Sequence, residues 1–381
     1  MSAEGKLNSC VCVAKRNVPM AVVYAEKVVN PSAPSVRGYS HYDVMPAEPL
    51  ELWQSAPFEP EVRDERIYAR GADDDKGQAM IQVKAFEYLV RNNQLRHNVK
   101  FIFEGEEEIG SPSLGKILTE HKELLSSDVI LVSDTSMLGA ELPSLTTGLR
   151  GLAYWEFEVT GPNRDLHSGH FGGAVANPIN VLCEMIAAIP FDEEAYKQAI
   201  GVRELRGEKG YSTLERNSCR PSFDVCGIRG GYTGEGSKTV LPSKAYAKVS
   251  CRLVPHQQHE RISQLLIDHL ANIAPQCVDV KVKPMHGGEG YVCPITLPAY
   301  RAAEIGFTEA FGRRPLAVRR GGSIPIISDF EKILGGKTGR MGFGWESDAI
   351  HSPNENFRLD MLRKGIEAVV VFHREFDNLQ A

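Results

Sequence analysis

Apolar residues recur along the first third of the chain at the spacings of helices and strands. The segment "GQAMIQVKAFEYLVR" (77–91) places its apolar side chains on one side of a helix. "NVKFIFE" (98–104) and "SDVILVSDT" (127–135) are short apolar runs typical of strands, and "SLGKILTEHKELL" between them predicts a helix. A strand, a helix and a strand in this order favour an α/β unit whose neighbouring strands run parallel.

The pattern changes after residue 150, where "LAYWEFEVTG" (152–161) alternates apolar and polar residues, as a strand with one solvated face does. Helical patterns follow at 177–189 and 259–273 among further strand-like runs, and helices return from about 299 to the end of the chain, the last from about 358 to 375. We therefore expect an α/β fold with two domains. A catalytic domain with a mainly parallel sheet between helices would comprise 1–147 and 293–381, and a smaller α+β domain, 148–292, would interrupt it.

The composition argues against some classes of protein. The chain has 381 residues, 42% hydrophobic and 24% charged, with a net charge of −6. This balance argues against a nucleic-acid partner, which would require a clustered basic face. No apolar run approaches the roughly 20 residues of a membrane span. The eight cysteines are scattered without a CxxC pair, which indicates reduced thiols and a cytoplasmic location.

Carboxylates follow two of the predicted strands. Glu107 and Glu108 come directly after the run at 98–104, and Asp134 follows "VILVS". Ligands of open α/β sheets bind beyond the carboxyl ends of the strands, so we expect both sets of acids at one edge. Glu104 and Glu106, in the same acidic stretch, are expected to be structural or solvated.

Two further groups of polar residues are candidates for the same edge. Asp73, Asp74 and Asp75 precede the helix predicted at 77–91, where a cap would need fewer carboxylates. His41 and Asp43 are two residues apart, and an Asp bonded to one ring nitrogen makes the other nitrogen a better metal ligand. Each feature alone has an ordinary structural explanation. Together they supply the ligands that suit zinc, manganese or cobalt.

Eight motifs in order along nearly the whole chain carry a resemblance to a known family. They are "HYDVMPAEPLELWQSAPFEP", "YARGADDDKG", "EGEEEIGS", "SDT", "DLHSGHFGG", "SCRLVP", "RRGGSIPI" and "SDAIHSPNE". The chain resembles the dimetal amidohydrolases and metallopeptidases that include aminoacylase, carboxypeptidase G and carnosine dipeptidase. It is most similar to the branch of carnosine and non-specific dipeptidases.

The resemblance implies a role for each matching residue. The metal ligands would be His41, Asp74, Glu108, Asp134 and His351, with Asp74 bridging two divalent ions. Glu107 would be the general base, Asp43 would orient His41, and His167 would stabilise the oxyanion in the active site of a partner subunit. The substrate contacts would be Thr239, Arg252, His286 and Ser323.

The resemblance also implies the activity, namely hydrolysis of the amide bond of dipeptides or short peptides by a metal-bridged hydroxide in a homodimer joined through the inserted lid domain. One alternative is an N-acyl-amino-acid deacylase with the same dimetal site. Another is a non-catalytic relative, because only 40 residues precede His41 where relatives carry a longer segment. Arg37 and Ser40 also interrupt the apolar strand expected before His41, and a charge buried there is costly unless it is paired.

Overall fold

The computed structural model describes residues 9–13, 22–139, 141–167, 171, 174–181, 210, 213–321, 324 and 326–380. Its strands, in chain order, are β1 (Ser9–Val13), β2 (Val22–Lys27), β3 (Ser35–His41), β4 (Glu61–Arg63), β5 (Arg66–Tyr68), β6 (Asn98–Glu104), β7 (Val129–Val132), β8 (Ser144–Leu149), β9 (Gly151–Thr160), β10 (Leu166–His167), β11 (Ser222–Gly230), β12 (Val240–Leu241), β13 (Lys244–Leu253), β14 (Asp279–Gly288), β15 (Tyr291–Val292), β16 (Leu316–Arg320), β17 (Lys337–Arg340) and β18 (Asn356–Arg358). Its α-helices are α1 (Gln78–Arg91), α2 (Leu114–Glu120), α3 (Lys122–Leu125), α4 (Thr213–Ser218), α5 (His259–Ile273), α6 (Pro298–Phe311), α7 (Ile326–Asp329) and α8 (Leu359–Gln380).

The chain divides into two compact units. The first comprises Met1–Gly148, Val292–Arg319 and Ile326–Ala381, and the second comprises Leu149–Tyr291 with Arg320–Pro325. The predicted insert, 148–292, covers all of the second unit except the short Arg320–Pro325 segment. The roles predicted for the two domains stay predictions.

A six-stranded sheet forms the centre of the first unit, in the order β1-β2-β6-β3-β7-β17. The four strands from β6 to β17 run parallel, whereas β1 and β2 are antiparallel to their neighbours. The predicted α/β class is therefore confirmed. One face of the sheet packs on α1, α6 and α8 through a continuous apolar core that includes Ile81, Phe307, Met361 and Phe372.

The helices α6 and α8 on this face of the sheet pack closely against each other. A Cβ atom on Gly306 of α6 would lie 2.4 Å from the carbonyl oxygen of Ala368 on α8, so only glycine permits the two backbones to approach this closely. On the other face of the sheet, the ring of Tyr39 makes an edge contact with Phe330 at 5.1 Å. Helices therefore cover both faces, as a mainly parallel sheet requires.

The second unit contains a four-stranded antiparallel sheet in the order β11-β13-β9-β14. Buried and half-buried residues alternate along β9, as its sequence predicts. The buried positions pack with α5, and the indole N–H of Trp155 donates to Ser263 Oγ at 3.0 Å. The opposite positions, which include Tyr154, Ser250 and Arg252, lie on the face without α5.

One predicted helix is divided in the structure, and another is largely untested. The segment at 113–125 forms two short helices, because the backbone leaves the helical region at His121 (φ −118°, ψ 29°). The helix predicted at 177–189 falls largely on residues 182–189, which lie outside the described residues.

Arg37 lies in the middle of β3 with 0% of its surface exposed. Its guanidinium carbon is 5.1 Å from the centre of the Phe330 ring, and the described residues offer none of its three nitrogens a hydrogen-bond partner. Burial lowers the pKa of the Arg37 guanidinium to about 9, against the opposing effect of Tyr24. The charge anticipated from the sequence is thus buried without a hydrogen-bonded partner in the described part of the chain.

We expect Arg37→Leu to stabilise the protein by about 1–4 kcal/mol, because it removes a desolvated charge and keeps an apolar contact with Phe330. Thermal and denaturant unfolding measure the change. Arg91→Leu, on the exposed side of α1, is the matched control and should change stability little. An unchanged or lower stability of Arg37→Leu would show that the guanidinium is compensated.

Candidate metal centre

The carboxyl ends of three parallel strands bring polar side chains to one edge of the sheet. The strand β3 ends at His41, β6 leads into a short 3-10 helix that carries Glu107 and Glu108, and β7 is followed by Asp134. Asp74 reaches the same edge from the turn before α1. These acids therefore lie at the edge of the sheet that the strand order predicts.

Asp74 lies at the centre of this arrangement. Its Oδ1 is 3.0 Å from His41 Nε2, and its Oδ2 is 2.9 Å from His351 Nε2. His351 Nε2 is also 3.3 Å from Glu108 Oε2. Two groups of candidate ligands result. One comprises His41, Asp74 and Asp134, and the other comprises Asp74, Glu108 and His351. In each group the ligand atoms lie within 4.8 Å of one another. A carboxylate shared in this way can bridge two ions.

The carboxylates and imidazoles of the site shift one another's pKa values. Burial, followed by the charge of Asp74, raises the pKa of Asp134 to about 7. Burial and Asp134 likewise raise the pKa of Glu107 well above its usual range. Burial alone would raise the pKa of Asp74, but its bonds to His351 and His41 lower it. The carboxylates therefore repel one another wherever an imidazole does not compensate them.

This donor set fits divalent metal ions. Neutral imidazole nitrogens and carboxylate oxygens are ligands of zinc and manganese, and a cation relieves the repulsion that raises the pKa of Asp134. The two histidines place Nε2, and not Nδ1, against the shared carboxylate. The residues predicted as ligands are thus brought together in an arrangement that would hold two ions.

Asp43 connects His41 to the glutamates. His41 Nδ1 lies 3.1 Å from the carbonyl oxygen of Asp43 and 3.4 Å from its Oδ1. The backbone N–H groups of Glu107 and Glu108 donate to the Asp43 carboxylate at 3.3 and 3.0 Å. Asp43 therefore fixes both the imidazole ring and the turn that carries the two glutamates.

Three of the remaining acids, Glu104, Glu106 and Asp75, have structural contacts. Glu104 accepts a hydrogen bond from the Tyr39 hydroxyl at 2.7 Å, and Glu106 accepts one from the backbone N–H of Ser113 at 3.0 Å. Glu104 and Glu106 are expected from the sequence to be either structural or solvated. Both are buried, so they are structural. Asp75 accepts the backbone N–H of His41 at 3.2 Å.

Glu355 is a residue of the site that the sequence analysis assigned no role. Its carboxylate accepts the backbone N–H groups of Gly71 at 3.0 Å and of Asp73 and Asp74 at 3.1 Å, and it pairs with buried Arg70 at 2.6 Å. It therefore holds the turn that presents Asp74. The signal in the sequence is its place in "SDAIHSPNE", four residues after His351.

Three residues predicted to contact substrate, Thr239, Arg252 and His286, belong to the second unit, as does His167, which is predicted to be catalytic. His167 Nε2 lies 3.2 Å from Thr239 Oγ1, and the ring of His286 stacks on Tyr154 at 5.1 Å between centres. Burial lowers the pKa of Arg252, which Asp224 partly offsets. Ser323 lies outside the described residues.

We expect Glu355→Gln to weaken metal binding about 10- to 100-fold, because an amide holds the Asp74 turn and Arg70 less firmly than a carboxylate does. Competition with a chromogenic chelator measures the affinity for manganese or zinc. Glu51→Gln, on an exposed helical turn, is the control and should bind metal as the wild type does. Unchanged affinity in Glu355→Gln would mean that the turn is held by other contacts.

Comparisons with known proteins show the family to which the chain belongs. The family model described as "Peptidase family M20/M25/M40" matches residues 39–375. The chain is 30% identical to a Cys-Gly metallodipeptidase of Schizosaccharomyces pombe, over 94% of this chain and 84% of the relative.

Solved structures give the same result. A metallo-carboxypeptidase from Sulfolobus solfataricus superposes with a TM-score of 0.84 at 29% identity, covering 94% of this chain and 88% of its own. Human carnosine dipeptidase 1 superposes with a TM-score of 0.77 at 28% identity, covering 95% and 84%. The resemblance predicted from the ordered motifs is confirmed, and the chain belongs to the M20/M25/M40 family of peptidases.

Proposed function

We propose that the protein is a cytoplasmic, homodimeric hydrolase that uses two divalent metal ions to cleave the amide bond of dipeptides or closely related short peptides. The observation that carries this proposal is that Asp74 belongs to both groups of candidate ligands, with Glu107 directly before Glu108 in the short helix after β6. The relatives support the substrate class, since they include a Cys-Gly metallodipeptidase and carnosine dipeptidase. None of the helices among the described residues has the length and apolar character needed to cross a membrane.

The metal ions would be held by His41, Asp74, Asp134, Glu108 and His351, and zinc or manganese suits these ligands, with cobalt as a third option. Once bound, the ions would polarise the substrate carbonyl and lower the pKa of the attacking water. The same set of ligands suits all three metals. Which of them the protein binds is therefore proposed and not observed.

Glu107 is the proposed general base. It lies directly before Glu108 in the short helix after β6, and the Asp43 carboxylate accepts its backbone N–H. Burial, followed by the charge of Asp134, raises its pKa in the absence of metal. Glu107 belongs to neither group of candidate ligands, so its carboxylate would be available to accept a proton. Glu107 would take a proton from the attacking water and return it to the leaving amine nitrogen, so that water and the amide give a carboxylate and an amine.

The second unit would supply substrate contacts. Arg252 would bind the terminal carboxylate of the peptide as a bidentate fork, and Thr239, His286 and Ser323 would contact the rest of it. His167 would stabilise the oxyanion in the active site of the partner subunit.

An exposed edge strand supports the homodimer. Among the described residues β11 pairs with β13 alone and lies at one edge of its sheet. Val225 and Ile228 on this strand are 39% and 47% exposed, which makes the edge a template for pairing with a second copy. Sedimentation at micromolar concentration should therefore give twice the monomer mass, and a monomer throughout would contradict this assembly.

Two other functions compete with this proposal. A deacylase would use the same metal set and differ in its substrate contacts. A non-catalytic relative would have lost ligands or their geometry, yet every predicted ligand is present in the two groups around Asp74. The comparisons favour the dipeptidase over both.

The protein loaded with manganese or zinc should hydrolyse dipeptides faster than N-acetyl or N-succinyl amino acids, because a dipeptide offers both a free amine and a carboxylate to the site. Values of kcat/KM on a panel of both substrate classes measure the preference. Faster turnover of the acyl compounds would favour the deacylase. Hydrolysis of neither class, with less than one ion bound per chain, would favour the non-catalytic relative.

Glu107→Gln should lower kcat for dipeptides at least about 100-fold while metal content stays near that of the wild type, because the base is lost and the predicted ligands remain. Glu106→Gln is the matched control in the same stretch, since an amide oxygen can still accept the Ser113 N–H. It should keep activity within about threefold. Activity retained in Glu107→Gln would assign the base elsewhere.

A further inference from the structure

Arg150 is a half-buried arginine of the second unit whose guanidinium connects separate backbone segments. Its Nε donates to the carbonyl oxygen of Gly321 at 3.1 Å. Its Nη1 donates to the carbonyl oxygens of Arg216 at 3.2 Å and Arg220 at 3.1 Å. One side chain therefore joins the end of α4 to the start of the segment that contains Ser323.

The backbone that carries Arg150 is held in place. A Cβ atom on Gly151 would lie 2.5 Å from the carbonyl oxygen of Gly288, and one on Gly290 would lie 3.1 Å from the carbonyl oxygen of Leu149. The segment 288–290 therefore approaches the backbone before and after Arg150 closely. The guanidinium is consequently a fixed anchor, and the segments that it binds are positioned relative to it.

The segments that Arg150 holds lie next to Arg252. Arg220 is followed by β11, whose first residue, Ser222, is the register partner of Arg252. On the other side, Arg252 is the register partner of Leu152, two residues after Arg150. Arg150 therefore fixes the strand that borders Arg252 and stands close to it in the sheet.

Electrostatics support the proximity of the two arginines. Burial and then the charge of Arg252 lower the pKa of Arg150 to about 10. Asp224 on β11 acts on both guanidinium groups in the opposite sense. Asp224 offsets part of this positive charge, and a substrate carboxylate would match the planar fork of an arginine.

We propose that Arg150 is a positioning residue that sets Arg252 to recognise the free C-terminal carboxylate of the peptide substrate. This inference rests on the proposed dipeptidase function, and it concerns a residue outside the predicted substrate contacts. Arg150 acts through Arg252 and does not itself contact the reacting atoms. It makes the enzyme selective for peptides with a free carboxylate over their C-terminal amides.

The test compares a dipeptide with its C-terminal amide as substrates of the full-length, metal-loaded enzyme. Arg150→Gln should raise KM for the free dipeptide about tenfold or more and leave kcat within about threefold, because misplacement of a binding group weakens recognition of the carboxylate. KM for the amide should change less than about threefold. Arg150→Lys, which keeps the charge and loses the planar fork, should fall between the wild type and Arg150→Gln.

A double mutant separates positioning from a general structural role. If Arg150 acts through Arg252, adding Arg150→Gln to Arg252→Gln should raise KM for the dipeptide no more than about twofold further. Arg229→Gln, an arginine of β11 that stacks on Tyr246, is the matched control and should behave as the wild type. Thermal unfolding of each variant identifies any loss of fold, in which case Arg150→Lys provides the comparison.

Equal losses on the dipeptide and its amide, or a fall in kcat with KM unchanged, would overturn the inference while leaving the proposed function intact. A wild-type enzyme that hydrolyses no dipeptide would overturn the proposed function and the inference together.

Discussion

Repulsion among carboxylates at one edge of a parallel sheet is the constraint on which the site depends. Glu107, Glu108 and Asp134 meet there because the strands that precede them end at the same edge, and Asp74 joins them from the turn before α1. Burial, and after it the charges of neighbouring carboxylates, raises the pKa of Asp134 and of Glu107. Two histidines offset part of this charge, and divalent cations are the partners that the remaining oxygens fit.

The surrounding structure keeps these groups in place despite the repulsion. Asp43 holds the ring of His41 and the backbone of Glu107 and Glu108. Glu355 holds the turn that presents Asp74 through three backbone N–H groups. The geometry is therefore set by hydrogen bonds among protein groups, and a metal would bind to an arrangement that the chain already favours.

Much of the fold and of the candidate site could be predicted from local pattern. The strand at 98–104 and the helix at 259–273 have the bounds predicted, because their hydrophobic periodicity is strong. The edge at which the acids meet followed from the strand order. The role of Glu355 could not be predicted, since it depends on contacts with residues some 280 positions away. That Arg37 has no hydrogen-bond partner among the described residues is likewise a property of packing, although the sequence shows a charge within the strand.

The central claim is that Asp74 bridges two metal ions, and the metal content of the protein tests it most directly. After equilibrium dialysis against manganese or zinc, elemental analysis should find two ions per chain in the wild type. Asp74→Asn should bind less than one ion per chain, whereas Asp268→Asn, on the exposed side of α5, should still bind two. A wild type that binds a single ion, or an Asp74→Asn variant that retains two, would contradict the account.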